Sequence, residues 1–157
     1  MKTYTTVILI VLTFFAQGCK KSECCVIVET HVDVWYTVDG KDMFHPENGC
    51  YSAEDMRVEY FSSDQWRIAG DSEQVLVYHN PILDAYLVRI FTEVSSPKIR
   101  VQVGNESSDV LETKFKQTSN TLVLSEVVVD GQRKWGLESP NQNEFGDIRA
   151  FSIDKSK

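Results

Sequence analysis

The chain has 157 residues and a net charge of -7, with 42% hydrophobic and 25% charged residues. That length suits one domain and hardly two, and the composition excludes a disordered, collagenous or coiled-coil protein. Net acidity speaks against nucleic acid as a partner, because phosphate binding needs a basic footprint.

Residues 1–18 read as a targeting segment outside the fold. Lys2 supplies the positive charge, and Val7 to Phe15 forms an apolar core. That run is shorter than the roughly 20 residues of a membrane-spanning helix. Ala16-Gln17-Gly18 places small residues three before and one before a cut ahead of Cys19. A cysteine directly after the cut is what lipid transfer requires, since its thiol receives the diacylglycerol. The segment resembles a bacterial lipoprotein signal with Cys19 as the lipidated residue. It departs in one place, because Leu is commonest where Ala16 stands. Ordinary secretion with cleavage at the same bond is the alternative. Each buried acyl methylene contributes ~0.8 kcal/mol, so several chains hold a protein to a membrane. Residues 19–25 then form a lipidated tether, and 26–157 a single domain.

Cysteines stand at 19, 24, 25 and 50. With Cys19 acylated, an odd number remains in an oxidising compartment. The expected bridge joins Cys50 to Cys24 or Cys25, and the sequence does not choose between them. It closes a loop of about 25 residues, a contribution of about 3 kcal/mol in the chain-entropy model. A metal–thiolate site lacks a second cysteine pair and a nearby histidine at ligand spacing.

From Cys24 to Val38 apolar and polar residues alternate with period two. This predicts one strand, or two joined by a bend, ended by the Asp39-Gly40 turn signal. His45 to Gly49 is a loop by composition. Ser52 to Met56 has room for one helical turn capped by Ser52. Further strands are predicted over 56–61, 74–79, 86–92, 99–103, 110–116, 121–129, 132–136 and 148–153. Asp130-Gly131 between apolar runs is a strong hairpin signal, and Ser119-Asn120 a weaker one. Trp66 falls in a loop-like stretch after Ser62-Ser63-Asp64-Gln65. The expected fold is all-β: a single antiparallel, Ig-like β-sandwich, with a small up-and-down β-barrel as the alternative. The expected core includes Val26, Val28, Val32, Val34, Val58, Leu76, Leu87, Val101, Leu122 and Leu124.

The order of signal, cysteine-bearing tether, alternating strand and the stretch Val38-Asp39-Gly40-Lys41-Asp42-Met43-Phe44-His45-Pro46 resembles small uncharacterised lipoproteins of Bacteroidetes-type Gram-negative bacteria. The likeness implies an envelope location, with the outer membrane the expected one and its face left open. It also implies a sandwich fold, and it carries over no functional residue. Surface-export signals of that group are acidic after the lipidated cysteine, whereas Lys20-Lys21-Ser22-Glu23 is mostly basic.

Chemistry leaves few marks. No Gly-x-Ser-x-Gly, His-x-His or His-Glu-x-x-His occurs, and no phosphate loop or dinucleotide fingerprint. His31 and Asp33 share one strand face and read as a solvated polar face. His45 and His79 are isolated in sequence. Asn143, Glu144 and Asp147 offer oxygens in a short loop and read as a polar turn. Trp35, on the nominal outer face of its strand, and Trp66 are possible surface contacts for a protein or sugar, though a covered sheet face would make Trp35 core. The expectation is a non-catalytic binding or interaction module held to the membrane through Cys19, with no cofactor and no metal. The alternative is a lipocalin-like barrel carrying a small apolar ligand.

Overall fold

The computed structural model describes residues 27–70, 75–118 and 120–156. The expected signal segment, the tether with Cys19, Cys24 and Cys25, and Val26 lie outside the described residues. So does the side chain of Val28. The strands are β1 (Ile27–Glu29), β2 (His31–Val38), β3 (Lys41–Asp42), β4 (Met56–Ser62), β5 (Gln65–Ile68), β6 (Leu76–Asn80), β7 (Ala85–Phe91), β8 (Lys98–Val103), β9 (Asp109–Gln117), β10 (Thr121–Val129), β11 (Gln132–Gly136) and β12 (Ala150–Asp154). The fold is all-β. One of the two sheets is strongly curled. A seven-stranded sheet runs in the order β1-β10-β9-β8-β4-β5, with β11 also on β10. It faces a five-stranded sheet ordered β12-β2-β7-β6, with β3 also on β2.

The alternating run from Cys24 to Val38 is two strands, broken at Thr30, and they belong to different sheets. Two of the pairings are parallel: β1 with β10 and β12 with β2. Each brings a terminal segment of the domain onto an internal strand, so the sandwich departs from a purely antiparallel one. β1 and β11 share one edge of β10, beside Thr121–Val123 and Glu126–Val129 respectively. A bulge between Leu124 and Glu126 separates the two stretches.

Three hairpins turn in two residues with both at positive φ: Asp39-Gly40 (50°, 72°), Ser63-Asp64 (51°, 62°) and Asp130-Gly131 (48°, 79°). That backbone matches the twist of the flanking strands. The Asp-Gly pairs announce it. Ser63-Asp64 carries no glycine, so β5, and with it the strand position of Trp66, escaped the sequence reading. Ser52 does precede a single 3₁₀ turn, Ala53–Asp55. The Asp55 carboxylate accepts from the Ser52 amide (2.7 Å) and hydroxyl (2.9 Å), and these bonds hold it below the usual carboxylate range.

Val32, Val34, Tyr36, Val58, Tyr60, Val88, Ile90, Ile99, Val101, Leu111, Leu124 and Phe151 fill the space between the sheets. The expectation held for Val32, Val34, Val58, Leu87, Val101 and Leu124. Leu76 departs from it, at 49% exposed, because it begins the edge strand β6 and its partner Arg89 points outward. Leu122 is half-buried. Leu87 is fully buried, but on the other side of its sheet. There Ala85, Leu87 and Ala150 pack with Trp35, Tyr78, Leu83, Phe145 and Ile148. The 137–149 segment thus covers part of the face that alternation assigns to solvent. Asp33 is accordingly 5% exposed. It is met by Arg89 Nε (2.9 Å) and Nη2 (3.0 Å) and by the Tyr78 hydroxyl (2.7 Å). Burial first, and then its role as donor to Asp33, raises the Tyr78 pKa.

A second buried ion pair closes the fold at the C-terminus. Lys155 Nζ donates to Asp109 Oδ1 (2.6 Å) and to the Ser107 carbonyl (2.7 Å). The Tyr36 ring lies 5.9 Å away. Burial raises the Asp109 pKa against the pull of Lys155. The Tyr36 hydroxyl, deeply buried and facing Asp109, is raised well above its ordinary value, chiefly by burial.

In urea unfolding, Leu111→Ala is expected to cost about 2–5 kcal/mol, whereas Leu76→Ala stays within about 0.5 kcal/mol. Lys155→Met leaves a buried carboxylate uncompensated and should cost about 3–5 kcal/mol, with the double variant Asp109→Asn/Lys155→Met losing less than the sum of the singles. A carboxyl with a raised folded pKa favours the fold while protonated. That contribution is lost as pH rises through the carboxylate range and above, and the double variant should lack this loss.

Candidate functional site

Two sets of bonds define the ends of the sandwich. At one end the Thr30 carbonyl accepts from the Thr92 amide (2.5 Å) and hydroxyl (2.8 Å). The β4–β5, β7–β8 and β9–β10 connections lie at this end, and so does the start of β1, beside Thr121. The Lys155–Asp109 pair marks the opposite, far end. It carries the β2–β3, β6–β7, β8–β9 and β10–β11 connections.

The far end holds the candidate site. The loop after β3 folds back on Met43, whose carbonyl accepts from the amides of Cys50 (3.0 Å) and Tyr51 (3.1 Å). Asp42 fastens this loop to β7. Its Oδ1 accepts from the Phe44 amide (2.9 Å) and its Oδ2 from the Tyr86 amide (2.7 Å). The two carboxylate oxygens thereby bring together histidines 34 residues apart, by their numbering. The His45 ring meets Tyr86 edge-on at 5.3 Å and the His79 ring meets it at 5.1 Å. His45 Nδ1 accepts from the Glu47 amide (3.1 Å), so its ring proton sits on Nε2. His79 Nε2 lies 3.2 Å from Asp84 Oδ1. Lys41, Asp42, His45 and Asn48 line an open cleft of about 490 Å³.

Beside it, the β6–β7 turn is set by Asn80, whose Oδ1 accepts from the amides of Ile82 (2.9 Å) and Leu83 (3.2 Å). Leu83 packs into the outer cluster, and Ile82 stands 79% exposed. Aromatic edges, an ammonium, an imidazole donor and an apolar tip suit recognition. The two imidazoles are engaged by a backbone amide and an exposed carboxylate. Among the described residues, no group of three His, Cys, Asp or Glu side chains is placed to hold a metal ion.

The sites expected from sequence lie elsewhere. Trp35 is half-buried in the outer cluster, 6.3 Å from the Phe145 ring. Its indole Nε1 is buried without a partner among the described residues. Trp66 packs on Phe61 at 5.2 Å, and the Arg100 guanidinium lies over its ring at 4.0 Å. Trp35 thus has an aromatic neighbour, and Trp66 an aromatic and a cationic one. His31 shares a face with Asp33, but that carboxylate is held by Arg89 and Tyr78. Asn143 is buried and bonds to both backbone groups of Gly136 (2.8 and 3.0 Å). Glu144 accepts from the Ser152 amide (2.7 Å) and hydroxyl (2.6 Å). The polar turn there is structural.

Cys50 is exposed in the far-end loop. The start of β1 lies at the other end, about 20 Å or more away by strand length. The three residue steps from Cys24 to Ile27 reach at most about 11 Å, and bonded cysteines need Cα atoms within about 7 Å. A bridge from Cys24 or Cys25 to Cys50 therefore requires β1 to leave its place on β10. The sequence reading missed Tyr86 as the ring the two histidines share and Asp42 as the clasp that brings their loops together. The one local signal was Asn80-Pro81, a turn dipeptide next to His79.

Comparison with protein-family models, curated proteins and solved structures finds no match to the chain.

Asp42→Ala should free the 43–50 loop from β7 at a cost of about 1–3 kcal/mol. Amide exchange at Phe44 and Tyr86 should speed up, with the Asp130-Gly131 hairpin unaffected.

Proposed function

We propose that this chain is an envelope lipoprotein, anchored through Cys19, that acts as a non-catalytic binding module. Its contact surface is the far-end cleft with Ile82. The observation that carries this reading is placement. His45, Tyr86, His79 and Ile82 gather at the end opposite the strand that the expected tether feeds. A module held at one end and reading at the other is what a membrane-bound receptor for a protein or glycan requires. The exposed isoleucine favours a protein, because a fixed apolar tip supplies the desolvated centre of a contact. The likeness to small Bacteroidetes-type lipoproteins agrees with the location. The filled space between the sheets, with Tyr36, Tyr60 and Phe151 fully buried, favours this reading over a carrier of apolar ligands.

Detergent extraction of native membranes, followed by identification of co-purifying proteins, tests the binding reading. A specific partner should be retained by wild type and by Arg57→Ser, on the outer face of the larger sheet. It should be reduced at least ~10-fold by Ile82→Asp. Equal retention by all three would move the contact elsewhere. The anchor has its own test: wild type should enter the detergent phase on phase separation, and Cys19→Ser the aqueous one.

A further inference from the structure

We infer that the domain rests against the phospholipid surface that holds its anchor, touching it with the β7–β8 turn and turning its acidic far end away. This deepens the lipoprotein reading and rests on it. Cys19 precedes Ile27 by eight residues, a reach of at most about 28 Å however those residues are arranged. The strand they feed starts beside Thr121. The β7–β8 turn is bonded to the same strand segment, since both donors of Thr92 meet the carbonyl of Thr30. The apolar tip and the entry of the tether therefore share one end of the sandwich.

The turn is built to present apolar surface. Its backbone closes through the Ser96 amide on the Glu93 carbonyl (3.1 Å). Glu93 Oε2 accepts from the Ser96 hydroxyl (3.1 Å), and Glu93 Oε1 is paired with Arg67 at 2.7 Å. The acid is thus neutralised and turned back onto the protein. Val94 remains at the tip, 53% exposed, with Phe91 40% exposed just before it.

Charge points the same way. The far-end stretches 39–40, 43–55, 81–84, 104–108 and 130–131 hold Asp39, Glu47, Glu54, Asp55, Asp84, Glu106 and Asp130, set against Lys41 in the cleft between them. The stretches 63–64, 92–97 and 118–120 at the tether end hold only Asp64 and Glu93. Lys20 and Lys21 adjoin the anchor. An anionic bilayer repels the first end more than the second and attracts the tether lysines. One valine and one phenylalanine hold no free protein to a membrane. On a short tether, the local concentration of lipid makes even a weak contact populated.

The test uses the full lipidated chain in vesicles of phosphatidylethanolamine and phosphatidylglycerol, read by flotation and by amide hydrogen exchange. The expected result is flotation with amides 92–97 slowed ~10-fold relative to the Cys19→Ser chain free in solution, and amides 81–84 unchanged. Val94→Asp should still float but lose that protection, while Ile82→Asp should keep it. Flotation without protection at 92–97, or with protection at 81–84 instead, overturns the docking and leaves the anchor standing. Failure of wild type to float overturns the anchor and the docking together.

Discussion

The carbonyl of Thr30 is the joint of this molecule. β1 lies at the edge of the seven-stranded sheet, beside β10, and the chain continues as a central strand of the facing sheet. A strand that changes sheets leaves a backbone group between two ladders, where an unmet carbonyl is costly. Thr92 meets it twice, with amide and hydroxyl, and is itself buried. The same contact sets the end of β7 against the start of β2. Relative placement of the sheets, the exit of the β7–β8 turn and the entry of the chain all follow from one shared acceptor.

The opposite end is closed by charge. β12 lies parallel to β2, and a parallel terminal strand has no hairpin to hold it. Lys155, next after it, supplies the hold by burying its ammonium against Asp109 and the Ser107 carbonyl. The pair costs desolvation on both sides, and its gain is geometric: it docks the last strand on the β8–β9 connection. Asp33 with Arg89 and Tyr78 does the same on the outer face, joining β2, β7 and β6 under the cover of the 137–149 segment. Asp42 is the third such carboxylate, and it is the one that assembles the candidate site. In each case an acid is spent on fixing a connection.

Which features were readable follows from the range of the physics involved. Period-two alternation is a local property, and it marked β4 and β6 to β12 to within a residue or two. Asp-Gly turns are local too. β5 was missed because Ser63 and Asp64 adopt the left-handed conformation without a glycine to announce it. β3 was missed because two residues carry no periodicity. Leu76 was misjudged, and Leu87 is core as expected but in the outer cluster, for one reason. Alternation tells which residues share a face, and it does not tell what covers the face or whether a strand is at an edge.

The sequence by itself determined an all-β chain, its main strands and two of its hairpins, because each is encoded within a few neighbouring residues. Only the tertiary structure decided that the first alternating run divides between two sheets, that Trp35 is covered, and that His45 and His79 share Tyr86. It also decided that the acidic turns gather at one end. All four depend on partners tens of residues apart, chosen by strand order and by which carboxylate meets which amide. Those choices leave no mark in any single window of sequence.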